Sequence, residues 1–330
     1  MRAADNSNAS SSTEIPVVSD YGDNPWPIFF NASGPANTSI SRASMAYCVK
    51  EYRTWPRSWV VETATPFIHQ SLYAVSGALA RTGGIAGGGG ITGALGISST
   101  SLSGLPPALQ DAFAVSAAYA AKNDANSDLV MQLVETKAAA LMYSPGQGNW
   151  TIMEQLASLQ ALLVYQMVRL FDGDIRQRAL GEATEPVQAA WTAALQARVG
   201  AEIFQNADLT PSDDPAAAWR RWLFNESVRR TIITSFMIRG IYAMAKQGYC
   251  RLGAVVTDMS FTSGMRLWAA KTPGRWQRAV GEANPGWISH MNFSDMLGRA
   301  DPANVDSLGI MMAVTYKGKD VIEDWMAREL

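Results

Sequence analysis

Two stretches of the chain space carboxylates and guanidinium groups so that they can hold a hydrated cation and a phosphate. In the first, Asp172 and Asp174 flank a single glycine and can converge on one ion, and Arg176 and Arg178 follow, able to face phosphate oxygens. Magnesium suits such a pair, because it takes oxygen ligands and keeps several of its waters. In the second, Asn225 with Arg229 and Glu226 with Arg230 form two i, i+4 pairs, which are neighbours on a helix surface. Asn225 and Glu226 can face a metal or its bound waters, while Arg229 and Arg230 grip phosphate through charge-assisted hydrogen bonds. Lys271 adds a compact ammonium charge suited to the same anion, and Asp258 is a reserve ligand. A plainer reading accompanies each. Asp172-Gly173-Asp174 closes a helix by pairing with arginines, the two i, i+4 pairs brace a partly buried helix, and Lys271 is a solvated lysine before a Thr-Pro-Gly turn.

Other constellations carry less. Asp213 and Asp214 are followed by Pro-Ala-Ala and read as a loop. Asn123, Asp124 and Ser127 match a known magnesium signature until its last position, where Met131 stands in place of glutamate. The glycine-rich segment 81–104 lacks the GK[ST] of a phosphate-cradling loop and reads as a surface linker. His69, His290, Cys48 and Cys250 are scattered singly, so no nucleophilic pair or four-ligand zinc site can be assembled from sequence neighbours. The aromatic residues can line a pocket or fill a helical core, and their spacing does not separate the two.

These residues must be positioned by helices. With 48 % hydrophobic and 17 % charged residues the composition is that of a globular protein. The 27 basic and 29 acidic side chains leave a net charge of −2, without the basic surplus that a DNA-gripping domain uses to neutralise phosphates. Residues 1–40, rich in Ser, Asn and Ala, read as a flexible leader. A stretch from Ile40 to Leu79 is anchored by Tyr52, Trp55, Trp59, Phe67 and Tyr73. From Pro106 onward the pattern is helical: PPALQDAFAVSAAYAAKN, then ANSDLVMQLVETKAAALMY with apolar Leu129, Leu133, Val134 and Leu141. TIMEQLASLQALLVYQMVRLF opens on a capping-box pair, Thr151 and Glu154, and is apolar on most sides, as a central helix would be. A long helix spans AWRRWLFNESVRRTIITSFMIRGIYAMAKQ and stops near Gly248; FTSGMRLWAAK and KDVIEDWMARE are shorter helices. AVVTDMSF is the one strand candidate. The expected fold is all-α, a helical domain over 41–330 with a mobile Gly/Ser-rich loop. With an unapolar N-terminus, few cysteines and no long apolar run, the expected location is cytoplasmic, with no membrane partner.

Several of these segments resemble the regulatory region of fungal zinc-cluster (Zn2Cys6) transcription factors. TPFIHQSLY and LPPALQDAFAVSAAYAAKN are similar to its opening, LQALLVYQMVRLFDGDIRQRA and WRRWLFNESVRRTIITSFMIRGIY to its two most recognisable helices, and FTSGMRLWAAK to a later stretch. The similarity runs in order over about residues 63–270, and the six-cysteine cluster of that family has no counterpart in a sequence with two cysteines. A narrower group, the humulene synthases of fungal tropolone-sesquiterpenoid pathways, also resembles cluster-less regulators. There a Leu/Met-x-x-x-Lys arrangement is matched by Leu267 and Lys271. That second resemblance implies a magnesium-dependent sesquiterpene cyclase, with farnesyl diphosphate as the small-molecule partner and Mg²⁺ as cofactor. The substrate ionises, C11 attacks C1 and deprotonation releases the hydrocarbon. Asp172, Asp174, Asn225 and Glu226 would then hold Mg²⁺, and Arg229, Arg230 and Lys271 would hold diphosphate. Leu267, Arg176 and Arg178 would contact the substrate. The first resemblance implies instead a non-catalytic regulatory or ligand-sensing domain. With no six-cysteine cluster and no basic surplus, direct nucleic-acid binding by this chain is not expected.

Overall fold

The structure, a computed structural model, describes residues 39–62, 64–69, 71–73, 104–209, 213–282 and 286–328. The expected leader and nearly all of the glycine-rich loop lie outside the described residues, as does the end of the Ile40–Leu79 stretch. Within them the fold is all-α. The helices are α1 (Arg42–Glu62), α2 (Pro107–Ala120), α3 (Ser127–Met142), α4 (Ile152–Asp172), α5 (Ile175–Val199), α6 (Pro215–Gln247), α7 (Gly253–Thr257), α8 (Met265–Trp268), α9 (Pro273–Val280), α10 (Ser294–Arg299), α11 (Ser307–Lys317) and α12 (Lys319–Met326). Two short strands, β1 (Phe261–Thr262) and β2 (Trp287–Ile288), pair antiparallel.

Helix α4 is the axle of the molecule. Thr151 and Glu154 form the expected capping box, each satisfying a backbone N–H of the other, so the start of the helix is fixed by sequence. Every residue from Gln155 to Phe171 is buried, and α1, α2, α3, α5 and α6 all pack around it. The expected aromatics serve as core anchors: Tyr52, Trp55 and Trp59 face inward from α1, and Tyr52 stacks on Phe171 with ring centres 4.9 Å apart. Long helix α6 begins at Pro215 with Asp214 accepting from the Ala216 and Ala217 amides, and stops at Gly248, whose φ of 85° only glycine adopts without strain. Asp214, expected in a loop, is thus a helix cap.

Helices α4 and α6 run in the same direction and in matched register. Gln160 donates from Nε2 to Thr231 Oγ1 at 3.0 Å, and eleven residues further along each helix Phe171 meets Tyr242, ring centres 6.2 Å apart. This register fixes which residues can share a site.

Three expectations need correction. AVVTDMSF is not a strand: its first half forms α7 and only Phe261 enters β1. FTSGMRLWAAK is a strand, then one helical turn, instead of a continuous helix. Leu129 is 70 % exposed, and the inward face of α3 is formed by Val130, Met131, Val134, Ala138 and Leu141. Helix α5 was not foreseen, because the face it buries is polar: Gln177, Thr184, Gln188, Thr192 and Gln196 pack inward. Gly181 on that face lets α4 approach, since a Cβ there would lie 2.6 Å from Leu170 Cδ2.

Candidate functional site

The residues singled out in the sequence fall into two nodes. The first surrounds Asp172 at the C-terminal end of α4. Lys122 Nζ lies 2.8 Å from its carboxylate, and the Tyr119 hydroxyl donates to it at 3.0 Å. Arg53 and Arg57 of α1 stand 3.7 and 3.6 Å away. Arg53 also donates from Nε to the Phe171 carbonyl, closing the end of the helix. Burial pushes the Asp172 carboxyl upward, but the Lys122 and Tyr119 hydrogen bonds and the neighbouring cations outweigh it and hold the group below its usual range. Asp174, two residues on, is exposed and points elsewhere: it is the N-cap of α5, accepting from the Gln177 amide at 2.7 Å. Arg176 reaches Glu135 on α3 at 2.8 Å, and Arg178 is exposed, near enough to Glu182 for its charge to act there.

The second node is centred on Glu226, which is fully buried on α6. Its two oxygens are divided between its neighbours, Oε2 accepting from Arg229 Nε at 2.9 Å and Oε1 from Arg230 Nε at 2.8 Å. The Thr262 amide of β1 also donates to Oε1, at 3.0 Å. Arg229 extends to the Ile203 and Asn206 carbonyls and to Asp208, and Asn225 donates to the same Asp208 carboxylate at 2.8 Å. Arg230 is the hub. It donates to the Pro66 and Thr262 carbonyls and to Asp306, and its guanidinium lies 4.0 Å above the Trp268 ring. Asp306 meanwhile caps α11 by accepting from the Gly309 amide at 2.8 Å. Burial acts to raise the Glu226 carboxyl, and the charges of Arg229 and Arg230 overcome it, so the group is held below its ordinary range. Asp306, with one cation rather than two, is raised by burial.

Along α6, Glu226 precedes Tyr242 by sixteen residues, an axial separation of about 24 Å. Tyr242 lies level with Phe171, which adjoins Asp172, so the two nodes occupy opposite ends of the α4–α6 pair. The structure brings Asn225, Glu226, Arg229 and Arg230 together and leaves Asp172 and Asp174 away from them. Among the described residues, no group of three or more His, Cys, Asp and Glu side chains is arranged to hold a metal ion. Leu267 is buried in the core, and Lys271, three residues beyond the end of α8, is exposed, with no ion pair or hydrogen bond among the described residues. Lys271 stands near enough to His69 for its charge to act there, and His69 packs edge-on against Trp268 with ring centres 5.0 Å apart. Desolvation, more than the charges of Arg230 and Lys271, lowers His69 to about 4, so it is neutral, with Nδ1 accepting from the Ser71 amide.

Sequence spacing does not reveal Asp208 or Asp306, which close the second node, or Arg53, Arg57 and Lys122, which close the first. Asp306 did carry a signal, an Asp-Ser-Leu-Gly start typical of an N-cap. Its pairing to a residue 76 positions away has no local signature.

The chain is similar to the transcription factor gsfR2 of Penicillium aethiopicum, with 36 % identity over 230 residues. The match covers 67 % of this chain and 54 % of the relative, so the chain spans about half the length of the curated relative it matches. No family profile matches the chain, and no solved structure matches it. The resemblance to fungal transcription factors is matched by this similarity over 230 residues. Among the described residues no helix is long and apolar enough to cross a membrane.

Proposed function

We propose that this chain is a regulatory module of the fungal zinc-cluster transcription-factor kind, acting through its helical body rather than through turnover. The observation that carries the reading is the fate of the carboxylates. Glu226 has both oxygens committed to arginines, Asp172 is surrounded by three cations and a tyrosine, and Asp174 caps a helix. A metal would have to displace these partners at two ends of the bundle, and displacing one partner of a buried ion pair is strongly unfavourable. The similarity to gsfR2, named a transcription factor, points the same way. Fusing the chain to an unrelated DNA-binding domain tests it. Transcription from a matching reporter should change several-fold relative to the DNA-binding domain alone; no change would count against a regulatory role.

The sesquiterpene-cyclase reading has one observation on its side. Lys271 is exposed and without a partner among the described residues, as a lysine awaiting a diphosphate would be. In that reading Arg229, Arg230 and Lys271 would hold the anion, with Mg²⁺ supplying the leaving-group charge. The two arginines would first have to release Glu226.

A further inference from the structure

Helix α1 carries a stripe of one sign of charge. Arg42, Lys50, Arg53 and Arg57 lie within about 80° of one another around the helix axis, and all four are exposed. The stripe is about 22 Å long. The acidic residues of α1, Glu51 and Glu62, fall on the far side, where Glu51 accepts from the Trp55 indole. Among the described residues one carboxylate, Asp172, lies within ion-pair range of the stripe, and Lys122 approaches it too. Even there Arg53 and Arg57 remain 50 % and 45 % exposed, at 3.7 and 3.6 Å from the carboxylate. Arg42 and Lys50 form no ion pair among the described residues.

A chain with a net charge of −2 that concentrates cations here must hold its acid elsewhere. Residues 1–38 contain one basic residue, Arg2, and four acidic ones, Asp5, Glu14, Asp20 and Asp23. Asp20 and Asp23 are interleaved with Tyr21 and followed by Trp26, Phe29 and Phe30, so charge and aromatic surface come together. The chain between Asp23 and Arg42 spans up to about 60 Å when extended, more than the stripe's length. A segment tethered so close meets the stripe at an effective concentration in the millimolar range.

We infer that the basic stripe of α1 is the docking surface for the chain's own acidic–aromatic segment, residues 14–30. Asp20 and Asp23 pair with the stripe's cations, and the aromatic rings stack on guanidinium groups, as Tyr119 already does with Arg57 at 4.4 Å. The contact covers the stripe in the free protein and can be exchanged for an acidic partner. It does not rest on the regulatory reading.

Two measurements on the full chain test it. Zero-length carbodiimide coupling followed by peptide mapping should join Lys50 or Lys122 to Glu14, Asp20 or Asp23 within one molecule. The yield should fall about fivefold as salt is raised and the screening length drops toward about 3 Å. Lys50 acetylation should be about threefold faster in Asp20→Asn/Asp23→Asn than in the unaltered chain, as loss of an electrostatic contact would produce. Equal acetylation rates with no such cross-links would overturn the proposal. So would cross-links found only between molecules, which would assign the stripe to a second copy. Protection of Lys50 by a DNA duplex, with equal rates in the two proteins, would make the stripe a nucleic-acid surface and overturn it as well.

Discussion

Individual residues in this molecule are decided by their partners more than by their type. Arg230 is a charged side chain with no solvent exposure, and it is stable there because Glu226 and Asp306 balance it and two carbonyls take its remaining donors. Arg230→Met leaves buried Asp306 without its cation and Glu226 with Arg229 alone, and should lower stability by about 3–5 kcal/mol, measured by urea denaturation. Arg176→Ala, which removes an exposed pair, should cost less than about 1 kcal/mol. His69 gives the molecule an acid-sensitive point. Its folded pKa of about 4 lies below the ordinary histidine value, so the unfolded chain binds the proton more readily. The stabilisation is full above the ordinary value and is lost as pH falls toward 4. Between pH 7 and pH 5 the chain should lose about 2 kcal/mol through this group. His69→Gln should show a smaller loss over the same interval; an equal loss would mean that His69 is not the group responsible. Glu226, held low by its arginines, adds a loss of the same sign further down, through the carboxylate range.

Elements explain which parts of the sequence could be read. Helices α2, α3, α4 and α6 announce themselves through proline starts, a capping box, apolar periodicity and a terminal glycine, all local signals. Helix α5 does not, because Gln188, Thr192 and Ser235 form a hydrogen-bonded polar seam where an apolar stripe would be expected. The candidate site was legible to the same degree. The i, i+4 geometry of Glu226 and Arg230 was visible, whereas Asp208 and Asp306 arrive from distant segments. Asp174 separates the two readings of its segment at this scale. As an N-cap it should tolerate Asp174→Asn with little change, since asparagine caps as well, while Asp174→Ala should cost about 1 kcal/mol. A metal ligand would show the opposite pattern, with Asn and Ala alike in abolishing any magnesium-dependent stabilisation.

At the scale of the whole molecule, the matched register of α4 and α6 is the feature with the greatest consequence. It sets two ion-pair nodes at opposite ends of one bundle, each binding several elements together. The node at Glu226 joins α6 to segment 64–69, to β1 and to the start of α11; the node at Asp172 joins α1, α2 and α4. Each node ties segments far apart in sequence into one body. Lys271 is the residue that could still give the scaffold a chemical use. The most direct test is to incubate the purified chain with farnesyl diphosphate and Mg²⁺ and analyse the extract for hydrocarbons. A regulatory module leaves the substrate unchanged apart from background farnesol. A humulene-type hydrocarbon made by the unaltered chain and lost in Lys271→Ala would contradict this account.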